Sequence, residues 1–274
     1  MACIVIKVGG ALVEEPFGLS LACDIAKLAQ NGHQILLVHG GGPQLDLAIH
    51  KENRKPKKIA GRRITSAEDL KLAVRIWRGD ISTQWVRLLS KKEIFALAIT
   101  GQDAQLIQAQ KRPKTSVQTA DGIVKEIDFG FVGDIQKINA HVIHTLWKGD
   151  ITPVVAPLGC SPEGMLLNIN ADTVATSLAI ELGADTLILL SNIAGLLQNH
   201  QDPDTRIPHV TRAQARKLMD NGTIRSGMRP KVDSILNALG KGVRNIHLAD
   251  GRQENVLSRL LLKNEKIGTH FSTN

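Results

Sequence analysis

Short β-branched runs alternate with amphipathic stretches along most of this chain. Cys3–Val8 (CIVIKV), Gln34–Val38 (QILLV), Phe95–Thr100 (FALAIT), Ile151–Ala156 (ITPVVA), Thr186–Leu190 (TLILL) and Val243–Ala249 (VRNIHLA) read as strands. Their near-continuous apolar character is that of strands covered on both faces. Between them lie helical segments around Leu19–Asn31, Asp172–Leu182 and Lys231–Leu239. In the last of these Val232, Ile235, Leu236 and Leu239 fall at i, i+3, i+4 and i+7. Pro43 suits a first helical position. Ser66-Ala67-Glu68-Asp69 opens a long helix toward Lys91, with Gly79-Asp80 as its expected break. From Gly101 to Asn139 the runs shorten and alternate around an Asp121-Gly122 turn signal, which predicts an antiparallel excursion. The expected architecture is an α/β three-layer αβα sandwich around a mostly parallel twisted sheet, with a β-hairpin excursion in the N-terminal half.

Composition narrows the class. The 274 residues are 43% apolar and 22% charged, which excludes wholesale disorder. The length fits one two-lobed unit that needs no disulfide or metal to bury its core. No apolar run approaches the ~20 residues of a bilayer span, and the opening Met1-Ala2-Cys3 lacks the lead of a signal peptide. Three cysteines, widely spaced and without C-x-x-C, argue against a disulfide frame or a zinc site. The expectation is a cytoplasmic protein with no membrane partner and no metal ligands of its own. A net charge of +8 could serve nucleic acid or acidic metabolites. With no Tyr, five Phe and three scattered Trp there is no stacking platform, so no nucleic-acid partner is expected and an anionic substrate is. The dense run Lys51–Arg63 (KENRKPKKIAGRR) reads as a solvated loop.

Three glycine clusters stand where strands of an open α/β sheet feed helices, the usual ligand edge. They are Lys7-Val8-Gly9-Gly10, Gly40-Gly41-Gly42 and Ser226-Gly227-Met228-Arg229-Pro230-Lys231. Glycine lets backbone N–H groups approach an anion, and two of the clusters carry a lysine. Asn168-Ile169-Asn170-Ala171-Asp172 is the richest polar segment; Asn170 or Asp172 can cap the following helix, which leaves two further polar side chains for a ligand. His39 reads as structural, bonded to local backbone, and His141 and His144 as helix-surface residues. The chain has no P-loop, no G-x-G-x-x-G after the first strand, no G-x-S-x-G and no H-E-x-x-H.

Taken together, these segments resemble the amino acid kinase family, and within it the branch that phosphorylates N-acylated glutamate. The resemblance is carried by KVGGALV at Lys7–Val13, HGGGPQ at His39–Gln44 and GRRIT at Gly61–Thr65. It continues through FGFVGDI at Phe129–Ile135, NINADT at Asn168–Thr173, LLSNIAGLL at Leu189–Leu197, SGMRPKV at Ser226–Val232, ADGR at Ala249–Arg252 and IGT at Ile267–Thr269. It implies the amino acid kinase fold, with residues 1–165 taking the acyl amino acid and the dimer contact, and 166–274 taking ATP. It implies phosphorylation of the acceptor's side-chain carboxylate, with ATP and Mg²⁺. Lys7 and Lys231 would stabilise the transferring phosphoryl group, and Asp172 would hold both lysines. Gly41, Gly42, Arg63 and Asn168 would bind the acyl amino acid. Gly9, Gly10, Asn192, Gly195, Leu196, Thr223, Ile224 and Arg225 would lie along the nucleotide.

The chemistry agrees with that assignment. Phosphoryl transfer rests on positioning and on neutralising charge. A carboxylate acceptor, with an ordinary pKa of ~4.3, is already ionised and needs no general base. Two departures stand out: Ser191-Asn192 where many such kinases have Thr-Asp, and Ser66 where Asp is common. They leave open a kinase for aminoadipate or glutamate on a small carrier protein and a non-catalytic regulator, while Lys111-Arg112-Pro113 with Asp128–Asp134 resembles relatives that use N-succinylglutamate, which leaves the acyl group open. Arginine-inhibited members carry an N-terminal helix that builds hexamers. Only Met1-Ala2 precede the first strand here, so a homodimer without that control is expected.

Overall fold

The computed structural model describes residues 1–118, 124–199, 202–224 and 228–273. Eight strands form one sheet, in the order His209–Thr211, Thr269–Ser272, Asn245–Asp250, Thr186–Ser191, Cys3–Val8, Gln34–His39, Thr152–Ala156 and Ala96–Thr100. Every pairing is parallel except that of Asn245–Asp250 with Thr269–Ser272. Side chains alternate across this sheet and feed two cores. Ile4, Ile6 and Val8 point into a layer with Leu21, Ile25 and Trp85, whereas Val5 points into the opposite layer with Leu36, Val174 and Leu178. That double burial is why the strands read as unbroken apolar runs.

The strands His209–Thr211 and Thr269–Ser272 carry no apolar run and escape the sequence pattern. The expected excursion is real but draws on more of the chain. A second sheet has the order Leu166–Asn168, Leu158–Cys160, Ile107–Lys111, Gly133–Ile138, and a separate hairpin pairs Thr115–Gln118 with Val124–Ile127. The Asp121-Gly122 turn signal lies outside the described residues.

The helix opened by Ser66, whose Oγ accepts from the Asp69 amide at 3.1 Å, does not break at Gly79-Asp80. Instead Arg75–Ile81 widens into a π-helical turn between the α-helical Ala67–Val74 and Ser82–Ser90. This keeps Trp77, Ile81 and Trp85 on one buried face. The basic run is largely exposed, as expected, and is pinned at a few points. Arg54 pairs with Asp69 and with Glu52, and Lys58 pairs with Asp46 at 2.6 Å. His141 and His144 lie exposed on the helix Ala140–Lys148, as expected. Among the described residues no helix is long and apolar enough to cross a membrane.

Candidate active site

The first strand places Lys7 on the same face as Val5, toward the helix Ala171–Glu181. Asn170 caps that helix by accepting from the amides of Asp172 and Thr173 at 2.9 and 3.1 Å. Asp172 is thereby left free of capping and sits in the first helical turn. Its Oδ1 lies 2.9 Å from Lys7 Nζ, and its Oδ2 accepts a hydrogen bond from Lys231 Nζ at 2.6 Å. Lys231 comes from the helix Met228–Gly240, packed beside Ala171–Glu181. The three side chains are 10%, 14% and 12% exposed, so little water screens them. Burial alone would raise the Asp172 carboxyl, but the two ammonium groups outweigh it and hold Asp172 well below the ordinary carboxylate range. Burial, with Lys7 nearby, pulls Lys231 below its usual value, and Asp172 opposes that shift. Two positive charges thus converge on one negative charge and leave a local surplus for an anion.

A cleft of about 450 Å³ opens from this triad. One wall is made of the glycine turns. The Gly40 amide donates to Val8 O at 2.8 Å, and Gln44 Nε2 straps Gly10 O at 2.8 Å. The two turns press together so closely that a Cβ on Gly10 would stand 2.8 Å from Gly41 Cα. His39, fully buried, bonds Gly40 O and Ser82 Oγ at 2.9 Å each. Burial pulls its pKa down to about 4, so it is neutral at physiological pH and holds the turn without adding charge.

Arg63 lines the same cleft. Its Nη2 donates to Asp46 and, at 3.3 Å, to Gly42 O. Its Nη1 is buried with no protein partner. Burial would raise the Asp46 carboxyl, but hydrogen bonds from Lys58 and Arg63 pull it lower, so Asp46 stays ionised and orients both cations. Asn168 also lines the cleft and donates from Nδ2 to the buried Thr65 Oγ1 at 2.9 Å. Arg112, gripped by Asp134, adds another guanidinium.

The segment after Thr186–Ser191 is built from backbone. Gly195 adopts φ +138°, where a side chain would be strained and a Cβ would stand 2.7 Å from Thr269 Oγ1. Thr269, fully buried, accepts from the Leu196 amide at 2.8 Å and donates to Ile207 O at 2.6 Å. Arg252, clamped on Asp250, donates to Asn192 O at 3.0 Å.

Of the expected site residues, Gly41, Gly42, Arg63, Asn168, Asp172 and Lys231 line one cleft. Lys7 joins through Asp172, and Gly9 and Gly10 abut Gly40 and Gly41. Asn192, Gly195 and Thr223 lie apart from that cleft. Leu196 and Ile224 are core residues, 0% and 1% exposed, whose amides bond Thr269 Oγ1 and Leu218 O. Arg225 lies outside the described residues, as do Ser226 and Gly227. Sequence reasoning missed Asp46 and Trp77 altogether, and met Arg112 only as part of the family-like Lys111-Arg112-Pro113. It noticed Arg252 and Thr269 only as parts of ADGR and IGT.

A mostly parallel sheet with two lysines and a carboxylate at its edge, beside glycine turns, is suited to binding an anion such as a phosphoryl group. The profile of the amino acid kinase family matches residues 2–250, and the chain belongs to that family. It is 38% identical to the acetylglutamate kinase of Myxococcus xanthus, over 97% of this chain and 87% of the relative. To the acetylglutamate kinases of Methanosphaera stadtmanae and Aquifex aeolicus it is 35% and 36% identical, over 97% and 98% of this chain and 90% and 91% of theirs. Among solved structures, a Streptococcus mutans protein superposes at TM-score 0.80 with 28% identity and 99% coverage of both chains. An N-acetylglutamate synthase of Neisseria gonorrhoeae superposes at 0.84 with 23% identity; all of this chain covers 60% of that one, and the likeness is one of fold.

Proposed function

We propose that this chain transfers the γ-phosphoryl group of ATP to the side-chain carboxylate of N-acetyl-L-glutamate, giving N-acetyl-L-glutamyl 5-phosphate in arginine biosynthesis. One observation carries the reading. Asp172 and Lys231 of the Lys7–Asp172–Lys231 triad line the same cleft as Arg63, whose Nη1 is buried and unpartnered. That pattern fits an acceptor with two carboxylates. Arg63 grips the α-carboxylate, a planar task suited to guanidinium, with Asn168 and the Gly41–Gly42 turn beside it.

The side-chain carboxylate is then directed at the lysines. As the acyl phosphate forms, charge builds on the phosphoryl oxygens, and Lys7 and Lys231 neutralise it without reorganising because Asp172 already holds them. The acceptor attacks ionised, so no proton has to be removed. The nucleotide end runs along Gly9, Gly10, Asn192, Gly195, Leu196, Thr223 and Ile224, and residues 1–165 and 166–274 divide acceptor from nucleotide. Mg²⁺ accompanies ATP and supplies further neutralisation of its phosphates. Both oxygens of Asp172 are taken by lysines, and the described residues hold no cluster of three or more His, Cys, Asp or Glu fit for an ion, a donor set that suits a metal carried by the nucleotide.

The decisive assay incubates the protein with Mg-ATP and hydroxylamine, which traps acyl phosphates as coloured hydroxamates. N-acetylglutamate should give the strongest signal among N-acetylglutamate, N-succinylglutamate, glutamate and aspartate. Silence on all four would contradict the reading and favour a carrier-linked acceptor or a regulator.

The same reading includes a homodimer in the cytoplasm. Ala96–Thr100 is an open sheet edge, and beside it Phe95 and Leu97 are 77% and 45% exposed, a surface a second copy would cover. Three free thiols suit a reducing compartment. Light scattering should report a dimer; a monomer or a hexamer at low concentration would contradict this.

A further inference from the structure

The cleft is lined mainly by charged groups, glycines and polar side chains, with few apolar residues: Trp77, Val132, Pro157, Ile169, Ala171 and Pro230. Trp77, the only aromatic one, differs from the rest in how it is held. It sits in the π-helical turn Arg75–Ile81, an irregularity that recurs at functional sites. Its indole Nε1 donates to Gly41 O at 3.0 Å, and its ring packs so tightly on Gly41 that any Cβ there would overlap it. The side chain is 4% exposed, so it offers a fixed flat edge rather than a mobile one. Ser82, just beyond the same turn, bonds His39 and so fixes the backbone on the other side of the glycines.

The inference rests on the acceptor reading above. In that reading both carboxylates of the acceptor are taken, one by Arg63 and the other by the lysines. What remains for an apolar wall beside Gly41 is the N-acyl group. We propose that Trp77 is a specificity-determining residue: its indole closes the acyl subsite and restricts the kinase to N-acylglutamates with a compact acyl group.

The test uses the hydroxamate assay on N-formyl-, N-acetyl-, N-propionyl- and N-butyrylglutamate with the full chain and three variants. Wild type should lose activity beyond acetyl by about tenfold in kcat/KM per added methylene, the usual discrimination of a snug apolar pocket. Trp77→Leu and Trp77→Ala should raise the butyryl-to-acetyl ratio by about tenfold or more, with KM for ATP little changed. Trp77→Phe keeps most of the wall but loses the bond to Gly41 O. It should raise KM for N-acetylglutamate while leaving the ratio near that of wild type. A ratio within threefold of wild type in both smaller variants would overturn the proposal. So would a Trp77→Phe ratio shifted as far as that of Trp77→Ala, because the effect would then come from the Gly41 bond alone. If wild type turned over none of the series, the acceptor reading would fail instead.

Discussion

In the cleft proposed for the acceptor, charge is held by side chains that grip one another: Lys7 and Lys231 on Asp172, Lys58 and Arg63 on Asp46, Arg112 on Asp134. Beyond Thr186–Ser191, toward the proposed nucleotide end, the visible anchors are hydrogen bonds to loop backbone, from Arg252 to Asn192 O and between Thr269 and Leu196 N. The first construction fixes point charges where the ligand changes its own charge. The second fixes the course of a loop and leaves its outer surface to the ligand. Damage at the two ends should therefore read out in different kinetic constants.

The largest effect belongs to the triad. Lys7→Ala or Lys231→Ala should lower kcat by roughly 10²–10³, the loss expected for one preorganised charge-stabilising donor, with a smaller change in either KM. Asp172→Asn should also destabilise the fold, because it leaves two buried ammonium groups uncompensated; a loss of about 3–5 kcal/mol is typical for breaking a buried pair. Thermal unfolding checks this.

Next comes Arg63→Ala, which should raise KM for N-acetylglutamate by roughly 10–100-fold, the size of losing a charge-assisted contact of about 1.5–3 kcal/mol. KM for ATP should stay put. An N-acetylglutamate KM left untouched would break the assignment of this end. Thr269→Val tests the other end. It strands the Leu196 amide and Ile207 carbonyl, a penalty of about 1–3 kcal/mol per unsatisfied group, and should raise KM for ATP severalfold while sparing the acceptor. Thr269→Ser should restore most of it.

The smallest effect is on pH dependence. His247 is pulled down to about 4, by burial first and by the stacked His270 second, with ring centroids 4.7 Å apart. The folded protein therefore binds fewer protons than the unfolded chain between pH ~6.5 and about 4. Stability should fall as pH drops through that window and level off below it, to which His39 adds in the same sense. His247→Gln should flatten the fall in Tm between pH 7 and 5; an unchanged slope would remove His247 from the account.

The sequence made much of the acceptor end legible and little of the nucleotide end. Lys7 at the end of an apolar strand, and Asp172 just inside a helix already capped by Asn170, betray themselves because residue type and local position conflict with a core role. Arg63 showed only through the family-like GRRIT. Thr269 betrays nothing. Its role arises when the four-residue strand Thr269–Ser272 pairs with strands over 20 and over 60 residues upstream, which no local period records. Asp46 reads as an ordinary helix-surface acid until the run Lys51–Arg63 folds back upon it. Nothing in the sequence marks Trp77; most of its surface is core, and it meets the cleft from within the π turn. The large sheet was readable because burial on both faces makes strands uniformly apolar, whereas the smaller sheet, with half-exposed strands, was readable only as an irregular excursion.

The central claim is that this site transfers a phosphoryl group by neutralising charge around an already ionised acceptor, with no base. The most direct test is the single-turnover rate of acyl-phosphate formation between pH 6 and 8, at saturating Mg-ATP and N-acetylglutamate. The account predicts a rate flat within about twofold, because an acceptor carboxylate with a pKa of ~4.3 is ionised throughout. A rise approaching tenfold per pH unit would reveal a group that must lose its proton for reaction, and would contradict it.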